Sequence, residues 1–187
     1  MDLPTFLIAV FSLLILPGPT NAVLALASTA LTGRRSLSLV TAVLLGYLAV
    51  IIPVSSIAAP LLEGQPVIAA TVKLISAIWV LYLALKLWGP VPVGGQSTLG
   101  VGQVFVTTLL NPKAIIIGLT LVPSVQTGVP VAVAAFVCCA TVTSAIWLGL
   151  GGLLVGRHAQ MPPLVRHCGC AVLVAFSLTL AISALWT

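Results

Sequence analysis

The sequence predicts an all-α integral membrane protein: six transmembrane helices arranged as two inverted three-helix halves, with helices one and four broken near the bilayer midplane. Composition is the first observation behind this. Hydrophobic residues make up 60% of the chain and charged residues 5%, whereas a soluble domain carries roughly 25% charged residues. The second is length, since 187 residues at roughly 20 per span hold six or so helices with short connections. Nothing is left over for a soluble domain. The third is a pair of proline breaks, Leu16-Pro17-Gly18-Pro19-Thr20-Asn21 and Leu110-Asn111-Pro112-Lys113. Pro19 and Pro112 stand 93 positions apart, almost half the chain. Interrupted apolar helices at corresponding points of two halves are the best sequence-level pointer to the substrate site of a secondary transporter.

The apolar stretches run over Leu3–Leu31, Leu37–Ala59, Val67–Trp88, Val101–Val122, Val129–Val155 and Leu164–Trp186. Each is long enough to cross about 30 Å of hydrocarbon at about 1.5 Å per residue. Only helices satisfy every backbone group over such a length in lipid, and the alternation of a β-barrel is missing. The first stretch carries the Pro17/Pro19 break and the fourth carries Pro112; the first and fifth are long enough to tilt or break. The chain is a single domain, 1–187, with halves 3–88 and 101–186. The segment Gly89–Gly100, with Pro90, Pro92, Gly94 and Gly95, joins them. An odd number of spans per half makes the halves run in opposite senses. Beyond the paired breaks the halves show no residue-level self-similarity.

Charge sets the orientation. Arg34 and Arg35 fall in loop one, Lys86 flanks loop three, and Arg157 lies in loop five with Arg166 at its far edge. Loops two and four hold no Lys or Arg, and the second carries Glu63. Lys and Arg accumulate on the cytoplasmic side, so the odd loops are expected inside and both termini outside. The net charge of +5 is scattered and lacks aromatic interleaving, which excludes a nucleic-acid interface. Asp2, with no positive region after it, argues against a removable signal peptide. Gly152 and Gly156 make a small-residue spacing suited to close packing inside the chain, with a homodimer face as the alternative. Trp88 and Trp186 fit interfacial belts, while Trp79 and Trp147 fall inside spans.

Catalytic apparatus is missing. The only acids, Asp2 and Glu63, lie outside the apolar spans, so no intramembrane carboxylate is there to relay protons. Cys138, Cys139, Cys168 and Cys170 form neither a CxxC pair nor a zinc-spaced set and read as small core residues. His158 and His167 are placed at a cytoplasmic loop. The expectation is a protein that is not an enzyme and has no metal or cofactor.

The two breaks carry the chemistry. A proline removes the hydrogen bond to the carbonyl four residues earlier, which frees the carbonyls of Leu13, Ile15 and Thr108. Each needs a partner, because an unpaired carbonyl in a dry bundle costs a few kcal/mol. Pro19 and Pro112 suit the first helical position after Gly18 and Asn111 as N-caps. Two half-helix starts near the midplane then offer N–H groups to a carboxylate, while freed carbonyls accept an ammonium. A zwitterionic amino acid carries both groups. Pro17, Gly18, Pro19, Thr20, Asn21, Thr108, Asn111, Pro112 and Lys113 are the candidate substrate-binding residues, with Thr107 as a further lining residue. A structural kink is the alternative. Lys113 lies about 15 Å from either interface, where a Lys costs at least about 2.5–3.5 kcal/mol. It is expected either to serve the substrate carboxylate or to be tied to backbone carbonyls at a break. Lys73, nearer the outer end of helix three, snorkels or lines the pathway.

At these residues the chain resembles the lysine exporter and homoserine/threonine exporter family (LysE/RhtB type). The resemblance lies in Leu16-Pro17-Gly18-Pro19-Thr20-Asn21, in Gly33-Arg34-Arg35, and in Thr108-Leu109-Leu110-Asn111-Pro112-Lys113-Ala114 with Pro123 closing helix four. It implies a six-helix carrier in the bacterial inner membrane that exports amino acids or close derivatives. The chain departs from the family pattern at Ser36 and Leu37 and at Pro123-Ser124-Val125. With no acidic side chain in the spans, a small neutral or weakly polar amino acid is the expected cargo. A structural or assembly subunit is one rival reading and a carrier of another solute or ion a second.

Overall fold

Proline decides where most of the helices start. The computed structural model describes residues 1–28, 32–58, 66–88, 99–126, 128–155 and 163–185. In chain order the α-helices are α1 (Leu3–Ile15), α2 (Pro19–Leu26), α3 (Gly33–Pro53), α4 (Pro66–Trp88), α5 (Val101–Leu109), α6 (Pro112–Ile116), α7 (Val129–Val155) and α8 (Pro163–Leu185). α3 continues into a π-helical turn, Val54–Ala58, and α6 into another, Ile117–Leu121. All but α3 and α5 have a proline at their first or second position. There its fixed φ is already helical and its missing N–H would have had no partner. The other two use caps. Thr32 Oγ1 accepts from the Arg35 N–H at 3.3 Å, and Gln103 Oε1 accepts from the Gly100 N–H at 2.8 Å.

Four helices are long and apolar enough to cross a membrane, or six if each bent pair counts as one span. The bends are 60° between α1 and α2 and 47° between α5 and α6. Large apolar side chains also cover the outside, with Leu153 and Leu185 83% and 80% exposed. Such a surface suits lipid: among the described residues the regular structure is all helical, with the several apolar helices of a multi-pass membrane protein. Phe6, Leu24, Leu39, Ile51, Phe136 and Leu173 fill the interior.

Counting α1 with α2 as span one and α5 with α6 as span four, the pairings fix the direction of each crossing. Spans one and five run parallel: Cys139 meets Leu7, and Gly151 meets Ala25. Spans two (α3) and four also run parallel, because Gly46 meets Thr108 and Gly118 meets Val54. Spans three (α4) and six (α8) run antiparallel, Ser177 bonding the Ala77 carbonyl and Cys170 the Ala84 carbonyl. Spans one and four are antiparallel, their far ends joined by the Gln126 N–H to the Met1 carbonyl at 3.1 Å. Among the described residues the main helix neighbours stay the same when the two halves are exchanged. One with five corresponds to four with two, and one with six to four with three, while three packs on six.

Several expectations are adjusted. The first helix ends at Leu26 rather than Leu31, and the second begins at Gly33 rather than Leu37. Arg34 and Arg35 therefore sit in the first turn of α3, because the Thr32 cap starts the helix before the apolar run does. Arg166 lies in the first turn of α8, at the edge of loop five as expected, and His167 lies within that helix and not in the loop. Glu63, Pro90, Pro92, Gly94, Gly95, Gly156, Arg157, His158 and Trp186 lie outside the described residues.

Candidate functional site

The two breaks meet, and each supplies what the other lacks. At the first, the helix stops at Ile15 and restarts at Pro19, with Gly18 as N-cap in extended backbone. At the second, Asn111 caps the restart at Pro112, its Oδ1 accepting from the Lys113 N–H at 3.0 Å. Both predicted first-position prolines and both predicted N-caps are where the sequence placed them.

Lys113 crosses between the halves. Its Nζ donates to the Leu13 carbonyl at 2.9 Å and to the Leu16 carbonyl at 2.8 Å. These are the carbonyls at the end of α1, the negative end of a helix dipole, so the cation is placed favourably. Of the two expectations for Lys113, the described structure has the tie to backbone carbonyls, and the side chain reaches back to the opposite break. An ammonium has three hydrogens, and two are used here. The Asn21 side chain adds bonds to the Leu14 carbonyl at 2.7 Å and the Leu16 carbonyl at 3.0 Å. The Thr108 carbonyl is taken by the Asn111 N–H at 3.1 Å.

A buried polar bridge backs this junction. Asn111 Nδ2 donates to Thr20 Oγ1 at 2.8 Å and to the Tyr47 hydroxyl at 3.4 Å. Thr20, Asn111 and Tyr47 are 1%, 3% and 3% exposed, so in this conformation they join helices and do not line open space. Thr108 is fully buried, bonds the Val104 carbonyl at 2.8 Å, and stands against Gly46. Thr107 Oγ1 accepts from the Trp79 indole at 2.9 Å. Lys73 donates to the Ser183 carbonyl at 3.0 Å, near the end of α8.

Open space lies beside the first break. A cavity of about 430 Å³ is walled by Pro17, Gly18, Ala22, Trp147, Val172 and Phe176, among others. Of the predicted site residues, only Pro17 and Gly18 face it. The second break is shut: the Ser76 hydroxyl bonds the Leu110 carbonyl, and Trp79 covers Thr107. A more open hollow of about 400 Å³ lies beside it, lined by Ile75, Ile78, Trp79, Tyr82 and Leu110.

Sequence reasoning missed Tyr47, Ser76 and the cavity wall of α8. Tyr47 and Ser76 were legible as lone polar groups inside apolar spans, and such groups seek partners. The wall of α8, made of Cys168, Gly169, Val172 and Phe176, leaves no such mark.

One expected result follows from the Asn21 contacts. Asn21→Leu keeps the branched shape but strips the Leu14 carbonyl of its side-chain donor, a loss of about 1–3 kcal/mol. The purified variant should melt measurably below the parent in detergent; an unchanged melting temperature would mean that another donor reaches that carbonyl. Scans of family models, of curated proteins and of solved structures found no match to this chain.

Proposed function

We propose that the chain is a secondary carrier that exports an amino acid or close derivative from the bacterial cytoplasm across the inner membrane. The observation that carries this reading is the junction of two broken helices, one from each half, held by one Lys and two Asn side chains. Discontinuous helices of opposed halves form the substrate sites of many carriers, with half-helix starts serving anionic groups and freed carbonyls serving cationic ones. The alternation of helix directions and the exchange-invariant neighbours support two inverted three-helix halves, and the likeness of both breaks to those of the amino-acid exporter family supports the cargo class. A zwitterion between Lys113 and the carbonyls of the first break would have a partner for each charge.

Burial of Thr20, Thr108 and Asn111 favours the rival reading, a structural subunit in which the breaks only shape packing. Efflux separates the two. Cells loaded with dipeptides and expressing the protein should release at least one amino acid faster than cells without it. Efflux unchanged for every amino acid tested would favour the structural subunit.

The proposed orientation places both termini outside. Gln126 and Gly33, both exposed and at opposite ends of the bundle, serve as reporters. In a background without native cysteines, an impermeant maleimide applied to whole cells should label Gln126→Cys and spare Gly33→Cys. The reverse pattern would overturn the orientation.

A further inference from the structure

The cavity beside the first break is chemically one-sided. No charged side chain lines it, and its walls are proline, glycine, alanine, valine, leucine, phenylalanine and tryptophan with one thiol, Cys168. Trp147 offers its ring carbons, because its indole N–H is buried and shut off from the open space. At the rim stands Gly18. Gly18 lines the cavity, and the missing side chain lets the Lys113 ammonium pack close behind it: a Cβ there would lie 3.1 Å from Nζ, tighter than ordinary contact.

We infer that this cavity selects the cargo, taking a large apolar or aromatic side chain while the carboxylate of the same molecule turns toward Lys113. The inference rests on the carrier reading above and narrows the expected small or weakly polar amino acid to a bulky apolar one. Three arguments point this way. Apolar walls reward burial of carbon surface. A serine or threonine hydroxyl would meet only the Cys168 thiol as a side-chain partner on these walls, and an unpaired buried hydroxyl is penalised. A charged side chain would meet no counter-group. The space of about 430 Å³ suits a ligand of leucine or phenylalanine size. The same cargo does not fit the second break, which Ser76 and Trp79 close. The half-buried Lys113 ammonium behind Gly18 distinguishes the site from a plain lipid crevice, because an acyl chain passing between helices has no use for it.

Cys168 is exposed and lines the cavity, so it reports occupancy. The test uses the full chain in nanodiscs with Cys138, Cys139 and Cys170 replaced by alanine, and follows the rate at which a maleimide labels Cys168. L-leucine and L-phenylalanine should halve that rate at concentrations at least tenfold lower than L-alanine or L-threonine, the discrimination a hydrophobic pocket gives over a few methylenes. Val172→Trp fills the cavity from an exposed position and should abolish the protection. Equal protection by all four amino acids, or protection that survives Val172→Trp, would overturn the inference. Stronger protection by decanoate than by L-leucine would make the cavity an acyl-chain site and also overturn it. Amino-acid efflux from cells without any protection of Cys168 would remove the inference and leave the carrier reading standing; absence of both would remove both.

Discussion

Lys113→Met should reduce efflux to the level of cells lacking the protein while leaving membrane insertion near normal. Two energies decide this. Removing the ammonium leaves the Leu13 carbonyl without its side-chain donor, whereas the Leu16 carbonyl keeps Asn21. One orphaned carbonyl costs about 1–3 kcal/mol. Taking a cation out of the middle of a span returns about 2.5–3.5 kcal/mol. The two nearly cancel, so the folded bundle survives and any loss of efflux belongs to the site. Lys113→Arg should also impair efflux, because the ammonium already packs closely against Gly18 and a planar fork cannot occupy the place of a compact ammonium. Efflux with radiolabelled amino acid, beside size-exclusion profiles of the solubilised protein, checks both. Full efflux in Lys113→Met would leave the helix breaks alone to hold the cargo.

Gly151→Ala should be the most damaging single methyl in the protein. A Cβ there would stand 2.3 Å from the Ala25 carbonyl oxygen, 2.5 Å from Ser28 Oγ and 2.7 Å from the Ala25 Cα. Two of these atoms are backbone, so no rotamer change relieves the clash, and α2 must move away from α7. Overpacking of this kind costs about 1–3 kcal/mol or more. With roughly 2–4 °C per kcal/mol for a chain of this size, the melting temperature should fall by up to about 10 °C. Gly149→Ala is the control, because nothing lies within 4 Å of a Cβ at that position. Equal melting of the two variants would show that the α2–α7 contact is looser than the structure has it.

Both helix breaks were legible to the residue, because proline chemistry is local: Pro19 and Pro112 fix φ, and Gly18 and Asn111 stand where caps must. What each freed group bonds to was not legible. The donor to the Leu13 carbonyl comes from 100 residues away, and the bond between Asn111 and Tyr47 spans 64; only packing decides such pairs. Charge pattern misplaced Arg34 and Arg35, since a lipid-facing run starts later than the helix that carries it. Close packing was expected at the Gly152 and Gly156 spacing. The structure has a close approach one residue earlier, at Gly151, which meets α2, while Gly156 lies outside the described residues.

The bonds from Lys113 to α1 also set a schedule for synthesis. Leu13 is made 100 residues before its partner, and at about 5–20 residues per second the ribosome needs roughly 5–20 seconds to close that gap. During that interval the Leu13 carbonyl lacks the donor that the finished bundle gives it, at a cost of about 1–3 kcal/mol. The first half therefore completes its own hydrogen bonds only when the second half delivers Lys113.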